Sequence, residues 1–270
     1  MPRTAASVPF ATRALVLRVR PLGEKDRVLT LLSPDIGKFS AVARGARSPK
    51  GKLSALSQPF VLARFGLATG KTFDIVTQAQ IEEMHTGVVG DPLKVSWAAL
   101  ACECADHAPD RVPDPHAFAV LEVFLSSLSG AQGYAGGEAA GLWFGAQWLE
   151  LGGYSPTLGS CVACGARLEA SNEMWFGPSS GGTLCAACRG TESAPERVSG
   201  AAMRAFHRLI RSRRPPRSLS DAPFELDARG SGELGRCVLR ALAAHGEGRL
   251  RSLALLLDER AHEGLRAQDA

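Results

Sequence analysis

The sequence holds no run near the ~18 consecutive apolar residues that a membrane helix needs, although 45% of its 270 residues are hydrophobic. No membrane partner is expected. Near the N-terminus Arg13 and Arg18 interrupt the one apolar segment, 14–17. That leaves no signal-peptide core, so the chain is expected in the cytosol. Aromatic residues make up only 6%, with two tyrosines, so any base-stacking surface would rest on a few phenylalanines. H-E-x-x-H is absent. Two segments resemble a phosphate loop. Gly66-Leu-Ala-Thr-Gly70-Lys71-Thr72 is one residue short and runs into a strand-like Phe73-Asp-Ile-Val-Thr rather than a helix. The other, 45–52, is one residue too long and has Leu53 where Ser or Thr would bind magnesium. With no assembled nucleophile and base, the chain is expected not to be an enzyme.

The net charge of +4 hides an uneven distribution. Residues 1–80 carry 13 Lys/Arg against 4 Asp/Glu, a net of +9, and the remainder is at −5. A small segment this basic suits a polyanion, with nucleic acid the first expectation. Its basic residues are Arg13, Arg18, Arg20, Lys25, Arg27, Lys38, Arg44, Arg47, Lys50, Lys52, Arg64 and Lys71, with Arg3 in the tail. Phe39, Phe60, Phe65 and Phe73 lie among them. Cationic grooves with aromatic faces bind single strands, although a small barrel also needs large fillers for its core. A second basic run comprises Arg204, Arg208, Arg211, Arg213, Arg214 and Arg217. The first three share a helix face and either add an auxiliary DNA contact or favour the helix C-terminal dipole.

Seven cysteines in a cytosolic chain do not point to disulfides. Four fall at Cys161-x-x-Cys164 and Cys185-x-x-Cys188, with 20 residues between the pairs. Two thiolates two residues apart can face one metal from a tight knuckle, and two knuckles complete a tetrahedron. Gly165 supplies the positive φ such a turn requires, and Gly181-Gly182 precede the second knuckle. The expectation is one structural Zn2+ held by Cys161, Cys164, Cys185 and Cys188, with no open position for catalysis. Cys102, Cys104 and His107 lie close together, but their apolar, helix-like surroundings favour buried core cysteines.

Short strands are expected at 13–19, 28–32, 38–44, 59–67 and 72–78, separated by Gly- and Pro-containing turns. Five strands in about 80 residues suggest a small barrel. The Gly-, Ser- and Lys/Arg-rich stretch 45–57 reads as a mobile basic loop framing a nucleic-acid groove. Helical spacing follows at 92–107, 115–128, 138–151, 200–211, 231–244 and 251–265. The expected class is α+β and multidomain. A nucleic-acid-binding barrel occupies 1–80, and an α-helical domain takes 81–156 and 194–270. A zinc module at 157–193 is inserted in the helical domain.

Several of these stretches resemble the RecO family of bacterial recombination mediators, over nearly the full length. They are Ala14-Leu-Val-Leu-Arg18 with Pro21-Leu-Gly-Glu24-Lys-Asp26-Arg-Val, and Gly37-Lys-Phe-Ser-Ala-Val-Ala-Arg44-Gly45-Ala-Arg47. Then come Leu149-Glu-Leu-Gly-Gly-Tyr154-Ser-Pro156-Thr-Leu158, Cys161-Val-Ala-Cys164-Gly165 and Gly181-Gly-Thr-Leu-Cys185-Ala-Ala-Cys188. The resemblance implies an N-terminal OB-fold, a helical domain and the zinc module. It also implies binding to single- and double-stranded DNA, annealing of complementary strands and partnership with RecR. The pair would help RecA displace the single-stranded-DNA-binding protein. The residues alone leave open an RNA-binding zinc-ribbon protein and a nucleic-acid-processing enzyme.

Overall fold

The structure, a computed structural model, describes residues 9–48, 53–169, 173–246 and 250–266. The chain divides into two compact units. One comprises residues 1–86 and 101–125, the other residues 87–100 and 126–270.

In the first unit, β1 (Pro9–Leu22), β2 (Asp26–Ser33), β3 (Gly37–Ala43), β4 (Leu62–Ala68) and β5 (Asp74–Glu83) form a closed barrel in the order β1-β2-β3-β5-β4. This is the small barrel expected from the strand count, of the OB type that the resemblance implies. Strand β1 is long because it serves two partners, with Pro9 to Leu15 paired to β4 and Leu15 to Leu22 paired to β2. The ladder slips between Val16 and Arg18, and this bulge lets Ala14, Leu15, Val16 and Leu17 all be buried in succession. Parallel pairing of Ala41 with Asp74 and Val42 with Ile75 closes the wall. Phe39 and Phe65 are buried with Leu29, Leu31 and Val16 in the barrel core, so these two rings are fillers and not base-stacking faces.

The loop after β3 is not free where it is described. Ala46, Leu56 and Val61 are buried in the barrel core, and Leu53 packs against it. Arg27 Nη1 donates to the Ser57 carbonyl at 2.5 Å, and the Ser57 hydroxyl donates to Leu53 O at 2.7 Å. The expectation of a mobile loop is therefore corrected at both ends, because its small apolar residues plug the barrel. Lys50 and Lys52 lie outside the described residues.

The compact units also fall along other lines than a boundary at residue 80. Residues 101–125 group with the barrel. They carry five carboxylates and one arginine, so they supply the counter-charge that the first 80 residues lack. The whole first unit holds 14 Lys/Arg and 11 Asp/Glu, a net of +3.

The second unit contains the sheet β6 (Met174–Gly177), β7 (Gly182–Cys185) and β8 (Glu196–Val198), ordered β7-β6-β8. Helix α1 (Pro92–Asp106) contributes its first part here, and α2 (Pro115–Gly130) its last turn. The remaining helices are α3 (Gly133–Leu151), α4 (Gly200–Arg211), α5 (Ala228–His245) and α6 (Arg251–Arg266). Ser199 caps α4 by accepting from Ala202 N, and Asp227 caps α5 by accepting from Gly230 N. Cys102, Cys104 and Cys237 are buried free thiols, and burial pushes Cys104 up to about 12.

Helix α3 begins five residues before its expected start at 138. Gly133, Gly136 and Gly137 lie inside the helix, and glycines further along it permit close packing. A Cβ on Gly141 would lie 2.1 Å from the Trp97 ring, and one on Gly145 would lie 2.5 Å from Val238 Cγ1. Gly141→Ala is expected to force α1 and α3 apart and cost about 1–3 kcal/mol, as overpacking does. Urea unfolding of the variant checks this, and an unchanged midpoint would refute the packing role.

Candidate metal centre and nucleic-acid surface

Cys161 and Cys164 flank a tight turn. Gly165 N donates to Cys161 O, and Cys161 N donates to Ala166 O, both at 2.8 Å. Gly165 has φ +75°, the positive value the turn was expected to need. Cys185 ends β7, and Cys188 N donates back to Cys185 O at 3.1 Å to form the second knuckle. Strand β7 is pressed against the first knuckle, with Val162 N donating to Thr183 O and Thr183 N to Thr157 O, both at 2.9 Å. A Cβ on Gly182 would lie 2.4 Å from the Thr157 carbonyl, which explains the glycine there. Trp175 and Leu184 pack with buried Cys161, and the Arg189 guanidinium sits 5.0 Å from the Trp175 ring centre.

The four Sγ atoms lie within 4.8 Å of one another, and Cys164 and Cys185 are 3.9 Å apart. Metal–thiolate bonds of about 2.3 Å place tetrahedral sulfurs about 3.8 Å apart, so the donor set fits one tetrahedral ion. Burial pushes the Cys161 thiol up, but the backbone groups of Cys185, Cys164 and Ala163 together outweigh it and bring it down to about 6. The Cys185 and Cys164 side chains retain the Cys188 proton and push that thiol up to about 12. Cys102, Cys104 and His107 form no second cluster among the described residues.

The predicted basic surface divides into a paired wall and a free pole. On the wall, Arg13 makes a two-point ion pair with Glu122 at 2.6 and 2.9 Å and a further one with Glu82 at 2.6 Å. Arg64, directly across from Arg13 in the ladder, approaches Glu82 at 3.5 Å. The Arg13 guanidinium holds the Glu82 carboxyl below the usual carboxylate range. Arg18 pairs with Asp106. Lys38 donates to the Asp106 carbonyl at 2.5 Å and pairs with Asp110 at 3.2 Å. Buried Asp74 accepts from Arg111 at 2.5 Å. Arg13, Arg18 and Lys38 thus anchor residues 101–125.

At one pole, the β1–β2 hairpin tip meets the turn after β3. Gly45 N donates to Asp26 Oδ1 at 2.8 Å, and Arg47 N donates to Lys25 O at 3.0 Å. Arg47 Nη1 donates to Gly23 O at 2.6 Å. Arg20, Lys25, Arg44 and Arg47 are exposed around this junction. The Arg20, Lys25 and Arg44 side chains have no ion-pair or hydrogen-bond partner among the described residues. Arg27 is half-buried below them, on Ser57. Lys71 is exposed in the β4–β5 turn, and β4 and β5 put that turn at the other end of the barrel.

Residues 8–85 match the family described as Recombination protein O N terminal, and residues 89–254 match Recombination protein O C terminal. The chain belongs to the RecO family. The DNA repair protein RecO of Dehalococcoides mccartyi (strain 195) is 34% identical over 185 residues, covering 68% of this chain and 72% of that protein. Its namesake from Symbiobacterium thermophilum is 31% identical over 235 residues, covering 86% of this chain and 88% of the relative. That from Nocardioides is 32% identical over 196 residues, covering 70% and 80%.

The RecO N-terminal match spans the whole barrel, and the C-terminal match spans both cysteine pairs. The sequence reading missed the acidic partners at Asp106, Asp110 and Glu122. Their signal was available as a carboxylate-rich stretch following a basic one. It also missed β6 and β7, visible only as the short apolar run Met174-Trp175-Phe176 before a Gly-Gly turn. No described helix is long and apolar enough to cross a membrane.

Proposed function

We propose that this RecO-family protein is a non-catalytic recombination mediator in DNA repair, acting in the cytosol at the nucleoid. It binds single- and double-stranded DNA, anneals complementary strands and, with RecR, helps load RecA where the single-stranded-DNA-binding protein covers the DNA. The observation that carries this reading is the cluster of unpartnered cations at the β1–β2 pole of an OB-type barrel. Basic side chains there neutralise phosphates on two strands and lower their repulsion while the bases pair. Arg20, Lys25, Arg44 and Arg47 make the main contacts. The four cysteines hold one Zn2+, whose role is to fold the module around it.

Mixing complementary oligonucleotides with the protein in the absence of ATP and magnesium tests the reading. Annealing should accelerate, and added RecR should alter the rate on DNA coated with the single-stranded-DNA-binding protein. A strict requirement for ATP would refute the non-catalytic mechanism.

A further inference from the structure

We propose that the cleft between the C-terminal part of α4 and the loop after it is a second site for the phosphodiester backbone of a nucleic-acid strand. This rests on the nucleic-acid reading above and extends it to the second unit. The cleft has a volume of about 550 Å³ and is lined by His207, Arg208, Arg211, Arg214 and Arg217, with Asp221 its one carboxylate. All five basic side chains are exposed. Arg208 reaches across to the Pro223 carbonyl and spans the cleft. Arg211 Nε donates to His207 Nε2 at 3.4 Å. The Arg214 and Arg217 side chains have no partner among the described residues.

Arginines at a helix C-terminus often serve the terminal carbonyls. Here that task is already done. Gln147 Nε2 donates to both Leu209 O and Ile210 O at 2.7 Å. Trp143 Nε1 donates to Ser212 O at 2.9 Å. The Arg214 and Arg217 guanidinium groups are left without a structural role, and with Arg208 and Arg211 they surround one concavity with little opposing charge. Such crowding of like charge is unfavourable until an anion enters.

The wall is also built to hold its shape. Leu226 N donates to Leu219 O at 2.8 Å, and Phe224 N donates to Asp221 O at 2.9 Å, closing the far loop. Pro216, Ala222, Pro223 and Phe224 form an apolar floor, and the guanidinium groups stand around it. The planar fork of arginine suits phosphate oxygens in pairs. Several forks spread over a cleft of this size suit consecutive phosphates of a strand rather than a lone ion. A strand bound here and another at the barrel pole would give each complementary partner its own neutralising surface.

The test uses the full, metal-loaded chain and a labelled oligodeoxythymidylate. Arg214→Ala/Arg217→Ala should weaken binding roughly tenfold at physiological salt and lower the magnitude of the log–log salt slope by about 2. Arg214→Lys/Arg217→Lys should keep the slope. Arg213→Ala, an exposed neighbour outside the cleft, should leave affinity within about twofold. Unchanged affinity and slope in the alanine pair, with circular dichroism intact, would overturn the proposal. So would loss of oligoglutamate binding with DNA binding retained, which would mark the cleft as a site for acidic peptides. If the wild-type chain binds no oligonucleotide, the underlying nucleic-acid reading fails. If only the barrel-pole variants lose binding, this inference alone fails.

Discussion

Cys161→Ser and Cys185→Ser are each expected to lose one equivalent of metal and to destabilise the β6–β8 region by several kcal/mol. The local core is too small to stand alone. It consists of Cys161, Trp175 and Leu184 with a few half-buried neighbours, around three strands of three or four residues each. Structural zinc contributes about 10–16 kcal/mol of apparent binding free energy in small zinc peptides, and that energy is folding energy. Only part of it should appear here, because β8 leads directly into capped helix α4 and shares its unit. Elemental analysis and limited proteolysis between residues 157 and 198 provide the readout. Because bound thiolates must shed their protons, acidification should release the metal as well. A wild-type protein free of metal, or a serine variant as protease-resistant as wild type, would refute the four-thiolate reading.

The triple variant Arg20→Ala/Lys25→Ala/Arg44→Ala should lose about a hundredfold in affinity for DNA at physiological salt, if each cation meets one phosphate. The loss should be similar across sequences, since backbone contacts carry no base information. Stability should hardly change, because the three side chains are exposed and unpartnered and such substitutions usually stay within about 0.5 kcal/mol. Arg13→Met is expected to behave in the opposite way. It leaves Glu82 and half-buried Glu122 without their shared cation, so stability falls by about 1 kcal/mol while DNA affinity changes little. Glu82 ionises more readily when folded, so its contribution is present above its unfolded range and fades as pH drops through the lowered folded value. Equal DNA affinity in the triple variant and wild type would remove the pole as the contact surface.

Much of this architecture was legible from local signals. Alternating residues such as Phe39, Ala41 and Ala43 marked β3, and the two cysteine pairs marked the metal site, because both depend on spacing within a few residues. What escaped was decided by partners distant in sequence. The charge excess of residues 1–80 pointed to a polyanion without showing which cations would face it. Asp106, Asp110 and Glu122, brought in by α1, α2 and their connection, claim Arg13, Arg18 and Lys38 for folding. The first turn of α3 was likewise missed, because Gly133, Gly136 and Gly137 precede the apolar spacing that starts at 138. The loop after β3 seemed free because it is polar on average, yet Ala46 and Leu56 bury themselves in the barrel.

The central claim is that unpartnered cations at the barrel pole bind a phosphate backbone. The most direct measurement is the dependence of oligodeoxythymidylate affinity on salt concentration, for wild type beside Arg20→Ala/Lys25→Ala/Arg44→Ala. The account predicts a steep log–log slope for wild type, reduced in magnitude by about 2–3 in the triple variant through lost counterion release. Parallel lines for the two proteins, with both folded, would contradict it.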